Sequence, residues 1–354
     1  MQSPNEITYL FGAGASYQSM PLVGSFCDRL NIYLDFLRRI GSKQSFIDHN
    51  KDLLRAVKSH LSFDTYFKKL FHQKDQQISI DRGKYLIYMY FLFEHLIDTN
   101  EFSEVGRKMT PSITKDFGCD PRYDALIAGL LKPLSQKSEF YWNINFLTWN
   151  YDLNLSYSLY NFLSRGVSLQ SFLNTGAEST NAFNFSEQVK VVHLNGFINS
   201  IEFPGSLGCH SSSSLRERFL RLITNFGNES HVKEYTASLK FSWESIKDNG
   251  SMPNFIKEAS DAIRRSRHII VIGYSFPLYN RLFDLELLSQ ENLDGKYITI
   301  LDPNSKEIKN LLHSDFGFPD LENPQASDFS GAPAIYTSIS KESFFIPPQL
   351  FQKK

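Results

Sequence analysis

The sequence predicts an α/β fold of Rossmann-like type: a parallel sheet with helices on both faces and a large helical insertion after the first strand. Three observations carry this prediction. Short segments rich in β-branched and aromatic residues recur along the chain, each closes on a glycine or polar turn, and longer stretches of helical periodicity separate them.

The first strand spans residues 7–11 and runs into Gly12-Ala13-Gly14-Ala15-Ser16, a turn expected to open a helix. Residues 26–39, 51–71 and 85–96 then carry helical periodicity. This stretch is too long for a crossover and reads as an inserted helical subdomain over roughly residues 25–140. A second strand, 145–149, leads into Asn150-Tyr151-Asp152, and a third, 190–194, into Asn195-Gly196. Between and after them, the polar stretch 174–187 and the serine run 211–214 read as loops. The fourth strand, 268–272, ends in Gly273-Tyr274-Ser275, and the fifth, 297–301, in Asp302-Pro303-Asn304. A sixth candidate lies at 334–338. Residues 1–305 then form one domain, to which 306–354 add a helix, a strand and a tail.

With 37 Lys and Arg against 38 Asp and Glu, the net charge of −1 removes the electrostatic case for direct nucleic-acid binding or for an anionic membrane. The apolar run 85–93 ends at Glu94, well short of the ~18 residues that span a bilayer, and the N-terminus lacks the basic region of a signal peptide. Three cysteines without a CxxC pair exclude a disulfide framework and a four-thiolate zinc module. His49, His60, His72 and His95 have no metal-ligand spacing and Cys209-His210 has no second pair, so no metal is expected. A cytoplasmic protein follows from these features.

In an open parallel sheet the ligand sits outside the carboxyl ends of the strands, so the five polar clusters should converge. Gly12 and Gly14 would let the backbone approach a pyrophosphate, with a helix N-terminus behind them. Position 17 is Tyr where a third glycine would stand, and no acidic strand end follows about 20 residues on, which argues against a dehydrogenase-type site. Asn150 can orient a ribose hydroxyl or a water while Asp152 fixes the amide; an Asx-turn capping the next helix is the plainer reading. His193 and Asn195 share a strand face, and His193 there can act as a general base. Gly273 and Ser275 suit phosphate or ribose oxygens, and Asp302 and Asn304 suit a ribose. Pro277 stands where a nucleophile elbow would need glycine.

Taken in order, GAGAS, T-x-N-Y-D, H-x-x-G, GYSFP and DPN resemble the sirtuin-like family and, more narrowly, the bacterial sirtuin-like NAD hydrolases of antiphage defence, as in Thoeris-type and related abortive-infection systems. The resemblance spans roughly residues 5–305. It implies that NAD is the substrate and that its nicotinamide–ribose bond is cleaved, with Asn150, Asp152 and His193 catalytic. Gly12, Ala13, Gly14 and Ser16 would contact the pyrophosphate, and Gly273, Ser275, Asp302 and Asn304 the adenosine half, with Asn195 among the ligand-binding residues. The chain departs from the pattern at three places. It lacks the four-cysteine zinc module, which disfavours protein deacylation. Asn195 stands where the family has His before Gly196, leaving His193 to serve. Asn280 replaces the acid after GYSFP, with Asp284 one helical turn further on. The implied function is an antiphage NAD glycohydrolase under the control of a sensor or activator protein encoded nearby, with homo-oligomerisation. The alternative is a module that binds NAD or an ADP-ribose-like nucleotide without cleaving it.

Overall fold

The computed structural model describes residues 6–60, 62–73, 76–96, 120–133, 139–163, 177–179, 182–198, 215–237, 239–246, 251–293, 295–318, 334–339 and 342–348. The serine run 211–214 and Cys209-His210 lie outside the described residues.

The strands are β1 (Glu6–Phe11), β2 (Asn143–Thr148), β3 (Ala177–Ser179), β4 (Ala182–Ser186), β5 (Val189–His193), β6 (His268–Ile272), β7 (Tyr297–Leu301) and β8 (Ala334–Ser338). They form one sheet in the order β3-β4-β5-β2-β1-β6-β7-β8. The six strands from β5 to β8 are parallel throughout. Counting only these in chain order, the sheet reads 3-2-1-4-5-6, the order of dinucleotide-binding sheets, and the chain reverses direction across it between β1 and β6.

Every residue of β1 is buried, which is why its sequence EITYLF is nearly continuous in apolar residues rather than alternating. Its two faces meet different partners. Phe11 stacks with Tyr9 and with Phe146 of β2, Tyr9 meets Phe146 at a tilt, and Phe11 also meets the rings of Tyr123 and Phe344. On the other face Thr8 Oγ1 lies 2.7 Å from Ser266 Oγ, at the end of a helix formed by Asn254–Arg265. The sheet is therefore covered on both sides.

Between β1 and β2 the described residues form α1 (Phe26–Arg39), α2 (Gln44–His60), α3 (Phe63–Phe71), α4 (Gln77–Leu96) and α5 (Pro121–Leu130). The stretch predicted as one helix over 51–71 is broken before Phe63. Ser62 has an extended backbone and its hydroxyl accepts from Thr65 N at 3.1 Å, an N-cap that starts α3 afresh. These helices do not close a core by themselves. Tyr85 of α4 donates to Leu222 O at 2.7 Å and packs on Phe226 and Tyr235, which follow β5 in α7 (Leu215–Asn225), the turn after it, and α8 (Glu229–Thr236). Across α1 and α4, Tyr33 and Phe36 meet Tyr90 and Phe93, beside the ion pair of Arg29 with buried Glu94. The remaining helices are α6 (Asn154–Leu163), α9 (Asn254–Arg265), α10 (Arg281–Leu287), α11 (Gln290–Leu293) and α12 (Ser305–Phe316). Among the described residues no helix is long and apolar enough to cross a membrane.

Two expectations are corrected. The stretch 174–187 is not all loop: β3 and β4 form an antiparallel ribbon that continues the sheet beyond β5. The alternation in Ala-Phe-Asn-Phe-Ser is the strand signal that its polar composition obscured. The GAGAS turn opens a four-residue 3-10 turn, Ala13–Ser16, and not an α-helix. Met20 N bonds to Ser16 O, and Pro21, which has no N–H and disfavours helical backbone at Met20, stops further winding.

Candidate functional site

A cavity of about 530 Å³ opens at the carboxyl ends of the parallel strands, beside the turns that follow β1 and β6. Each of the five polar clusters contributes to its wall: Ala13 and Gly14, then Asn150 and Asp152, Asn195, Gly273 and Ser275, and finally Asp302 and Asn304. Gly12, Ser16 and His193 are not in the wall.

The glycines bring the β1 and β6 turns into backbone contact. Gly12 N donates to Ile272 O at 3.0 Å and Gly14 N to Gly273 O at 2.9 Å. A Cβ on Gly12 would lie 2.6 Å from Gly273 O, and one on Gly273 only 2.3 Å from both Ala15 N and Gly14 C. Gly273 also has φ +60°, in the left-handed region. Gly14 N is thus committed to the neighbouring turn, and Ala15 N to Gly12 O. No α-helix stands behind the turn; the side chain beside it is Arg122 of α5, in a buried ion pair with Asp120. Its Nη2 donates to Ala15 O at 2.6 Å and to Asp120 at 2.5 Å, and its guanidinium is sandwiched between the rings of Tyr17 and Phe344, 4.3 and 4.8 Å away.

Asn150 is buried, with Nδ2 donating to Ser16 Oγ at 3.1 Å; that hydroxyl in turn lies 3.0 Å from Tyr123 Oη. Ser16 therefore acts on the cavity through Asn150. Asp152 does what an Asx-turn does, Oδ1 accepting from Asn154 N at 3.0 Å and Nδ2 at 2.7 Å at the start of α6, while still lining the cavity. Burial pushes its carboxyl above the usual range. Asn154 Oδ1 accepts from Ser19 Oγ at 2.9 Å and Asp120 N at 2.8 Å, so one network ties α6, the β1 turn and α5 together.

His193 lies apart from the other predicted residues, outside the cavity wall. Its ring is 1% exposed, packs 4.6 Å from Phe197, and its Nε2 faces Ser156 Oγ of α6 at 3.4 Å. Burial lowers its pKa to about 3. Alternation does place His193 and Asn195 on the same side, yet α6 crosses over His193, and only Asn195 lies beyond the strand end where the cavity begins. Asn195 Nδ2 donates to Trp149 O at 3.4 Å.

On the β6–β7 side, Ser275 and Asn304 are exposed at the rim, and Asp302 Oδ1 accepts from Asn304 N at 2.8 Å. Asn280 lines the cavity and donates to Tyr274 Oη at 3.1 Å. Asp284 is not in the cavity wall and accepts the Tyr274 hydroxyl at 2.8 Å; burial pushes its carboxyl well up against the lowering effect of that bond.

The sequence reading missed three contributors from the helical region and the C-terminal segment: Asp64 of α3, Arg122 of α5 and Phe344. Phe344 is held by the adjacent Phe345 carbonyl, which accepts from Tyr9 Oη at 3.2 Å. Asp120-Pro121-Arg122, an N-cap with Pro at the first helical position, was a visible signal for the start of α5. Nothing in the local sequence around Asp64 or Phe344 points to the cavity. No protein-family model matches the chain, and a search of curated proteins finds no match.

Proposed function

We propose that this cavity binds NAD and cleaves its nicotinamide–ribose bond, releasing nicotinamide and ADP-ribose. The observation that carries the proposal is the crossing of the Gly12–Gly14 and Gly273 turns at the reversal point of a 3-2-1-4-5-6 sheet, with amides and carboxylates on both sides of it. A dinucleotide fits such a crossing with its diphosphate at the β1 turn, beside Arg122, which lines the cavity and is ion-paired with Asp120. The nicotinamide ribose lies beside Asn150 and Asp152 and the adenosine half beside Ser275, Asp302 and Asn304, as the sirtuin-like motif order implies. Asn150, fixed by Ser16, orients the ribose for attack. The apolar wall of Phe26, Phe63 and Phe91 keeps bulk water from the bond that breaks. We further propose, on the resemblance alone, an antiphage role, control by a sensor or activator encoded nearby, and homo-oligomeric assembly.

One observation favours binding without cleavage: among the described residues no histidine lines the cavity, and Asn195 stands before Gly196. Chromatography of NAD incubated with the purified chain, alone and with the product of a neighbouring gene, separates the two. Release of nicotinamide that is lost in Asn150→Ala supports the hydrolase; retention of bound, intact NAD under both conditions supports the binding module.

A further inference from the structure

Asp64 is a cavity carboxyl that the motif resemblance does not supply. It occupies the first turn of α3, behind the Ser62 N-cap, and is 5% exposed. Tyr151 Oη donates to its Oδ1 at 2.7 Å. This bond ties the Asp64 carboxyl to the turn after β2, and Asp64, Asn150 and Asp152 all line the one cavity. The rings of Phe63 and Phe91 flank Tyr151 at 5.5 and 5.9 Å and also line the cavity, so the carboxyl faces a dry wall on that side. Among the described residues no cation pairs with it. The titratable groups around it are Tyr151, Tyr279 of the turn before α10, Lys68 one turn on in α3, whose Nζ donates to Tyr279 O at 3.3 Å, and Glu244, which is paired with Lys84 at 2.6 Å.

We propose that Asp64 is the catalytic carboxylate of this site, meeting the nicotinamide ribose and taking the proton of the water that replaces nicotinamide. The inference rests on the NAD-cleavage reading. In the step, the water oxygen bonds to the ribose C1′ while the C1′–N bond breaks and its electron pair neutralises the nicotinamide ring. Asp64 accepts the water proton and passes it to solvent, so that NAD and water give nicotinamide, ADP-ribose and one proton. Burial holds the carboxyl up to about 6, close to where a general base works best at neutral pH. An ionised Asp64 also lies opposite a ring that is cationic in NAD and neutral in NADH.

The test combines binding and release. NAD and NADH are titrated separately into wild type and Asp64→Asn at pH 8, and nicotinamide release is followed for both proteins. Wild type is expected to favour NAD over NADH by about 5-fold, a preference absent in Asp64→Asn, whose release falls by at least about 100-fold. Tyr151→Phe, which removes only the hydroxyl donated to Oδ1, should move the acid limb of the release profile to higher pH. A preference unchanged by Asp64→Asn, or undiminished release, overturns the assignment while leaving NAD cleavage standing. Failure of wild type to bind either dinucleotide overturns the reading of the cavity and the role of Asp64 with it. The binding comparison decides between these outcomes even where turnover requires an activator.

Discussion

Asn150 Nδ2 donates to Ser16 Oγ across 3.1 Å, a bond that fastens the turn after β2 to the turn after β1. Two motifs more than a hundred residues apart in sequence are thus one structural unit, and the amide held ready at the cavity is oriented by a hydroxyl that does not line it. Tyr123 Oη, 3.0 Å from the same Ser16 oxygen, extends the unit into α5.

Loosening that amide should cost turnover more than binding. Ser16→Ala is expected to lower kcat about 10-fold with KM nearly unchanged and to destabilise the fold by about 1 kcal/mol. Asn150→Ala should abolish release. Steady-state kinetics beside denaturant midpoints check both, and equal losses in kcat and stability for the two variants would argue against the orienting role.

Gly273→Ala should damage the site and the fold together. Its Cβ would enter the β1 turn at 2.3 Å, and φ +60° costs a non-glycine residue about 1–2 kcal/mol before any clash. The expected result is a loss above about 2 kcal/mol in stability and at least a tenfold loss in NAD affinity. Gly227→Ala, where nothing lies within 4 Å of the added Cβ, is the control and should change neither.

His193→Gln should leave release within about threefold of wild type, since a ring with its pKa lowered to about 3 is too weak a base to serve at neutral pH. Its cost should appear in stability, about 1–2 kcal/mol from disturbed packing against Phe197 and Ser156. A hundredfold loss of release with stability intact would restore His193 to the catalytic set.

Asp64 should make stability depend on pH in a stated direction. Its carboxyl is raised from 3.8 to about 6 in the folded protein, so the folded state holds its proton where the unfolded state has lost it. The stability this provides is full below pH 3.8 and is lost as pH rises through about 6. At ~1.4 kcal/mol per pH unit the loss amounts to about 3 kcal/mol. Asp64→Asn, uncharged at every pH, should therefore match wild type near pH 3.5 and exceed its stability by up to about 3 kcal/mol at pH 7.5. Urea midpoints at the two pH values measure this, and an equal difference at both would exclude the mechanism.

The six parallel strands were legible because each is a short β-branched or aromatic run, five of them ending abruptly in turn chemistry: β6, β7 and β8 lie where their sequences place them. The turns were legible for the same reason, and residues from all five line one cavity. What local pattern does not encode is what crosses over a strand end. His193 and Asn195 alternate to one side alike, but α6 covers the first and leaves the second open. Asp64, Arg122 and Phe344 reach the cavity through tertiary packing alone, since their elements look like ordinary amphipathic helix or coil. The glycines carried a further ambiguity. Their spacing suggested a phosphate turn, and much of their necessity lies in the close approach of the β1 and β6 turns.

The most direct test is a crystal structure of Asn150→Ala protein with NAD. The expected result is diphosphate density at the Ala13–Ser16 turn within reach of Arg122, with the nicotinamide ribose on the Asp64 side and the adenosine beside Ser275 and Asn304. An empty cavity at millimolar NAD, or a dinucleotide bound elsewhere on the molecule, would contradict the assignment of this site.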